Sequence, residues 1–183
     1  MTFVGHSLVG VSLAAAGSPN MKKRRFILTV VLFMVFANFP DFAFRIIPYY
    51  ESHSLVTVLA ILAVAVLLMG LVRRRALIAD RRLILLGSLA VISHLLLDTF
   101  YNHGQGLMLF WPLSESRQAF PIPWLSVLPP PYWPITERHI NVWLLEFATF
   151  APLLVLVLLG KFIVHAVKQR AGGSPGGKSR LPG

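Results

Sequence analysis

Ser93-His94-Leu95-Leu96-Leu97-Asp98 closes an apolar run of about 83–100, and its reading decides what kind of chain this is. Two ionisable side chains four residues apart share one face of a helix. On a soluble helix such a pair is an ordinary surface feature. Here Leu, Ile, Val and Ala surround it, and an ionisable group inside a membrane segment marks a functional site by default. A structural reading stands beside it, an interhelical hydrogen bond that holds a bundle together.

The rest of the chain supports the membrane reading. Of 183 residues, 56% are hydrophobic and 13% charged, against about 25% charged in an average soluble domain. Mean hydropathy is +0.70. Repeated long apolar runs with this composition predict an all-α, polytopic membrane bundle. The net charge of +10 does not point to nucleic acid, because the basic residues cluster beside the apolar runs as topology signals do. With no cysteine in the chain, any metal must be held by His, carboxylate or water.

Five spans are expected, at about 3–17, 26–44, 55–72, 83–100 and 141–164, in one domain covering residues 1–170. The first is at the lower limit for crossing a core of about 30 Å. Met21-Lys22-Lys23-Arg24-Arg25 followed by an apolar run also resembles a signal or anchor, so translation from Met21 is an alternative. Arg73, Arg74, Arg75, Arg81 and Arg82 mark a basic loop, residues 101–140 a long loop rich in proline and aromatics, and 171–183 a disordered tail.

Five spans place the 18–25 loop, the 73–82 loop and the C-terminal end on one side, with 14 of the 17 Lys and Arg. That side is expected to be cytoplasmic, with the N-terminus outside and the C-terminus inside. Six of the seven acidic residues and five of the six histidines then lie toward the outer face. Rules for Lys and Arg say nothing of His, so this clustering is a separate observation.

Several of these residues have a structural as well as a functional reading. Asp41 follows Pro40, so it is an interfacial cap or a ligand on a broken helix end. His6 is a packed histidine or a ligand. His53 precedes Ser54, a good N-cap for the third span. His103 and His139 read as solvated loop residues. Glu146, inside the last span, is a structural hydrogen-bonding group or a partner orienting a liganding His.

The same residues carry a family resemblance. His6-Ser7-Leu8-Val9-Gly10, Pro40-Asp41, His53-Ser54, His94 through Asp98, Gly104 and Trp111-Pro112-Leu113-Ser114 resemble the motifs of the bacterial membrane-bound predicted metal-dependent hydrolases, also described as LexA-regulated inner-membrane proteins. The resemblance covers most of residues 3–114 and extends to the last span with Glu146. Two departures stand out: Ala43 occupies the place of the family's second Asp after the Pro-Asp turn, and Pro48-Tyr49-Tyr50-Glu51-Ser52 replaces its His-Arg-Gly segment. The His-x-x-x-Asp element is also similar to one in zinc phospholipases C and related nucleases.

Together these readings predict a hydrolase of the inner (cytoplasmic) membrane that uses a divalent metal at the outer face. The metal is expected to be zinc, with Mn²⁺ and Fe²⁺ permitted by the same donors. His6, Asp41, His53, His94 and Asp98, or a subset, are the expected ligands, with Glu146 or Glu51 as general base or supporting partner. Membrane lipids are the expected surroundings and a lipid-like or phosphoester molecule the expected substrate. The alternative is a non-catalytic membrane protein with a structural or metal-binding polar cluster. A conducting polar track is disfavoured because the run at 55–72 carries no charge.

Overall fold

The structure, a computed structural model, describes residues 3–18, 21–79, 81–101, 106–121, 125 and 134–172. Its elements are α1 (Phe3–Gly17), α2 (Lys23–Ala37), α3 (Phe39–Ala43), α4 (Tyr49–Ser52), α5 (Leu55–Ala79), α6 (Arg81–Asp98) and α7 (Glu137–Gly172). The fold is all-helical; among the described residues the only extended pairing is two isolated bridges, Tyr101 with Leu125 and Leu107 with Gln118.

Helix α1 is the centre of the bundle and packs against α2, α6 and α7. Its small residues allow this. A Cβ on Gly10 would stand 2.6 Å from the Phe33 carbonyl oxygen of α2, so the two backbones meet where only glycine fits, as small residues permit between apolar helices. Ala14, Phe33, Ala37 and Ala90 form one buried cluster across α1, α2 and α6. A second cluster, Val58, Val91 and Leu95, joins α5 to α6. The outward faces are apolar too: Leu71, Leu156 and Phe162 are each about two-thirds or more exposed, the reverse of a surface made for water. By length and composition, α7 is the one helix among the described residues that can cross a membrane alone over Glu137–Arg170; Phe3–Gly17 and Leu55–Leu68 are shorter apolar helices.

Several boundaries differ from the sequence expectation. The run at 26–44 is not one helix but breaks at Asn38, with Pro40 opening the short α3. Proline lacks the N–H that would continue the ladder, and its ring crowds the preceding turn. The basic stretch expected as a loop at 73–82 is helical through Ala79, and α6 begins at Arg81. No Gly or Pro interrupts Val72 to Ala79, and Arg, Ala and Leu are good helix formers. The last helix extends beyond 141–164 at both ends.

The long loop does not hang free. Leu107 and Gln118 exchange backbone hydrogen bonds of 2.8 and 2.7 Å, and the Leu55 N–H donates to the Leu109 carbonyl at 2.8 Å. Ser54 caps α5 through the Thr57 N–H at 3.4 Å and donates its hydroxyl to the Trp111 carbonyl. Of the tail expected at 171–183, Ala171 and Gly172 belong to α7; residues 173–183, together with Asp80, His103 and Gly104, lie outside the described residues.

The two ends of α1 have opposite characters. Near its start, the Gly5 N–H donates to Glu146 Oε2 of α7 at 2.9 Å in a buried setting. At its finish, Lys161 Nζ donates to the Ala15 and Ser18 carbonyls at 3.0 and 3.3 Å, and Arg82 to the Ala16 carbonyl at 2.8 Å. These cations satisfy carbonyls that a helix end leaves unpaired. Ten residues of helix separate His6 from Ala16, about 15 Å.

Candidate metal centre

Four elements deliver His6 from α1, Asp41 from α3, His94 and Asp98 from α6, and His53 from the turn after α4. Each arrives for a local reason. Pro40 ends the long helix and turns Asp41 inward. The four-residue spacing of His94 and Asp98 stacks them on one face of α6. The close approach at Gly10 seats α1, and with it His6, against α2.

The imidazole nitrogens and carboxylate oxygens converge. His6 Nε2 lies 3.3 Å from Asp98 Oδ1. His53 Nε2 lies 3.4 Å from Asp41 Oδ1 and 3.7 Å from Asp98 Oδ2. His94 Nε2 lies 3.7 Å from Asp41 Oδ1 and 3.5 Å from Asp98 Oδ2. The three histidines and Asp98 are at most 1% exposed, whereas the Asp41 side chain retains 14%. Asp41 is thus the edge by which the cluster reaches the surface.

Two observations test whether this set fits a metal ion. The first is spacing: bonds of 2.0–2.1 Å to a tetrahedral ion put neighbouring donors about 3.3–3.4 Å apart, close to the 3.3–3.7 Å seen here. The second is the state of the rings. His94 Nδ1 lies 2.8 Å from the Ala37 carbonyl oxygen, and His53 Nδ1 lies 3.1 Å from the Tyr49 carbonyl oxygen. A carbonyl only accepts, so the His94 Nδ1 donates to it and, in the neutral ring, Nε2 presents a lone pair; the His53 Nδ1 also lies 2.9 Å from the Ser52 hydroxyl. The buried Nε2 atoms of His6, His53 and His94 have no hydrogen-bond partner of their own. A neutral imidazole with its far nitrogen tied to a carbonyl, the arrangement at His94, and carboxylates opposite are the forms in which such residues bind a metal. The residues fit.

The set divides into two overlapping groups, His6 with His94 and Asp98, and Asp41 with His53 and His94, each with ligand atoms within 4.8 Å of one another. Asp98 spans the cluster with its two oxygens, Oδ1 toward His6 and Oδ2 toward His53 and His94.

Aromatic rings wall the cluster. His6 stacks on His94 with centroids 4.0 Å apart, and Tyr49 stacks on His53 at 4.1 Å. Tyr101 stacks more loosely on His6 at 6.1 Å. Burial, and then Asp98 and Asp41, raises the Tyr49 hydroxyl above its ordinary pKa. Burial, followed by the neighbouring Glu146, does the same to Tyr101. Sequence reasoning passed over both tyrosines. Their signal was spacing: Tyr49 precedes His53 by four residues and Tyr101 follows Asp98 by three.

The two glutamates do not join the ligand groups. Glu146 is fully buried, holds the Gly5 N–H and lies beside the Tyr101 hydroxyl. Glu51 sits half-buried in α4 and belongs to neither group. His139 departs from the solvated reading. It is 8% exposed, its Nδ1 accepts from the Thr136 N–H and lies 2.7 Å from the Thr136 hydroxyl, and its ring meets Trp143 edge-on.

No functionally described protein and no solved structure matches the chain. A family model does, over residues 1–173, a stretch that contains all five clustered residues. The chain therefore belongs to the YdjM inner membrane protein family.

Proposed function

We propose that this is a divalent-metal-dependent hydrolase of the inner membrane, with α1, α2, α5, α6 and α7 as five spans and the centre at the outer face. The single observation that carries the reading is the convergence of three buried Nε2 atoms and two carboxylates at 3.3–3.7 Å. The orientation is supported by the separation along α1 between this centre and the basic end at Lys161 and Arg82, since basic residues favour the cytoplasmic side.

His6, Asp41, His53, His94 and Asp98 would hold zinc or a similar ion, whose chemistry is to lower the pKa of a water toward 7 and polarise a phosphoryl or acyl oxygen. The chain's own contribution is positional. The Ala37 carbonyl sets the His94 ring in the binding tautomer, and the Tyr49 carbonyl and Ser52 hydroxyl hold the His53 ring in place. Glu146 anchors the start of α1, which keeps His6 over Asp98. Asp41, the most open ligand, marks the edge where water and substrate enter. An edge near the end of an apolar bundle suits a lipid or another amphiphilic ester or phosphoester.

The test is hydrolysis of phospholipid and of a soluble phosphodiester by detergent-purified protein, before and after chelation and with His53→Ala. Turnover lost with chelator, restored by zinc and absent from the variant supports the assignment. Metal retained at full occupancy with no turnover on any ester would leave a metal-binding membrane protein instead.

A further inference from the structure

The basic end of the bundle holds a second feature, independent of the metal centre. A cleft of about 740 Å³ opens between the ends of α1, α6 and α7. Lys161, His165 and Lys168 line it from α7, and Arg82 faces them from α6. The α7 spacing of four and three residues puts its three side chains on one stripe. Leu156 and Val157 line the cleft about one turn deeper.

The cations exceed what the fold requires. Lys161 is committed to the Ala15 and Ser18 carbonyls, and His165 pairs with Gln169. Arg82 spends one guanidinium nitrogen on Ala16 and retains its other donors. Lys168 is exposed. No carboxylate lines the cleft among the described residues. Lys161 to Lys168 rises about 10 Å along the helix, comparable to the headgroup layer of roughly 5–8 Å beyond each side of the hydrocarbon core. The order along α7, apolar below and basic above, is that of a lipid with an anionic head.

We infer that this cleft binds one anionic glycerophospholipid, its phosphate between Arg82 and Lys168 and the first methylenes of its chains against Leu156 and Val157. Basic pockets between spans on this side of a membrane recognise such headgroups by charge.

Native mass spectrometry of the full chain in detergent tests this, with phosphatidylglycerol and phosphatidylcholine offered at equal concentration. Wild type should retain phosphatidylglycerol by about tenfold over phosphatidylcholine. Arg82→Gln/Lys168→Gln should abolish the preference. Lys168→Gln alone, which breaks no internal bond, should reduce it, and Arg170→Gln, on the same helix but outside the cleft, should leave it. Equal retention of both lipids by wild type overturns the site. So does an equal loss in Arg170→Gln, which would reduce the effect to net charge. Displacement of the lipid by excess inorganic phosphate would make the occupant a free anion and also overturn it.

Discussion

His94 of α6 is tied to Ala37 of α2, with Nδ1 2.8 Å from the carbonyl oxygen. Ala37 is the last residue of its helix, so its carbonyl belongs to the group that a helix end leaves unpaired. The break at Asn38 and Pro40 therefore acts twice. It carries Asp41 into the cluster and supplies the acceptor that sets the His94 tautomer. Two donors of the centre depend on one interruption of one helix.

If a metal occupies the centre, its removal should loosen the bundle. Binding to the folded state alone adds about 4 kcal/mol when free metal is a thousand times its Kd. Chelation should then lower the thermal midpoint of detergent-solubilised wild type by several degrees, and zinc should restore it. In Asp98→Asn, which keeps the side chain's size but removes its charge, chelator and zinc should both leave the midpoint unmoved.

Glu146 is predicted to act through α1. Replacement by Ala strands the buried Gly5 N–H, at a cost of about 1–3 kcal/mol. Glu146→Gln keeps an acceptor oxygen and should recover most of that loss. If Glu146 were instead a ligand, Gln would lower metal content as far as Ala does. Thermal melts read beside metal content separate the two roles.

The approach of α1 to α2 is predicted to tolerate nothing larger than glycine. Gly10→Val places its Cβ 2.6 Å from the Phe33 oxygen, and overpacking of this kind typically costs 1–3 kcal/mol, here about the upper end. Gly70 has open space around it, so Gly70→Ala should be neutral or gain up to about 1 kcal/mol from helix propensity. Comparing the two melts distinguishes a packing constraint from a general aversion to substitution.

Tyr49 and Tyr101 give a dependence on alkaline pH. Both hydroxyls are raised above the ordinary 10.0, chiefly by burial. The stability linked to them is fully present below pH 10 and is lost as pH rises toward the folded-state values, because the unfolded chain releases those protons first. Stability should fall above about pH 10, and Tyr49→Phe/Tyr101→Phe should flatten the fall. An unchanged slope in the double variant would show that the loss comes from other groups.

Much of the centre was visible in the order of residues. His94 and Asp98 stood out because charge is costly in an apolar run, and Asp41 because a proline precedes it. His6 and His53 were placed near them by counting spans and basic residues rather than by any local motif. The tyrosines were missed because a ring stacked on a histidine leaves no trace in hydropathy, and Tyr49 and Tyr101 lie just outside the apolar runs. The helix through Arg73–Ala79 was misread for a related reason. Arginine marks the edge of an apolar run without ending a helix, whereas Pro40 breaks the backbone itself. His139 looked wet because its neighbours in sequence are polar, yet Trp143, one turn on, covers it.

The most direct measurement is the metal content of detergent-purified full-length protein beside His94→Ala and Asp98→Ala, with circular dichroism to show that each variant remains helical. Stoichiometric divalent metal, zinc foremost, is expected in wild type, with a loss of about tenfold or more in both variants. Undiminished metal in both, or a wild type that takes up none from a zinc-supplemented buffer, would contradict a metal centre here.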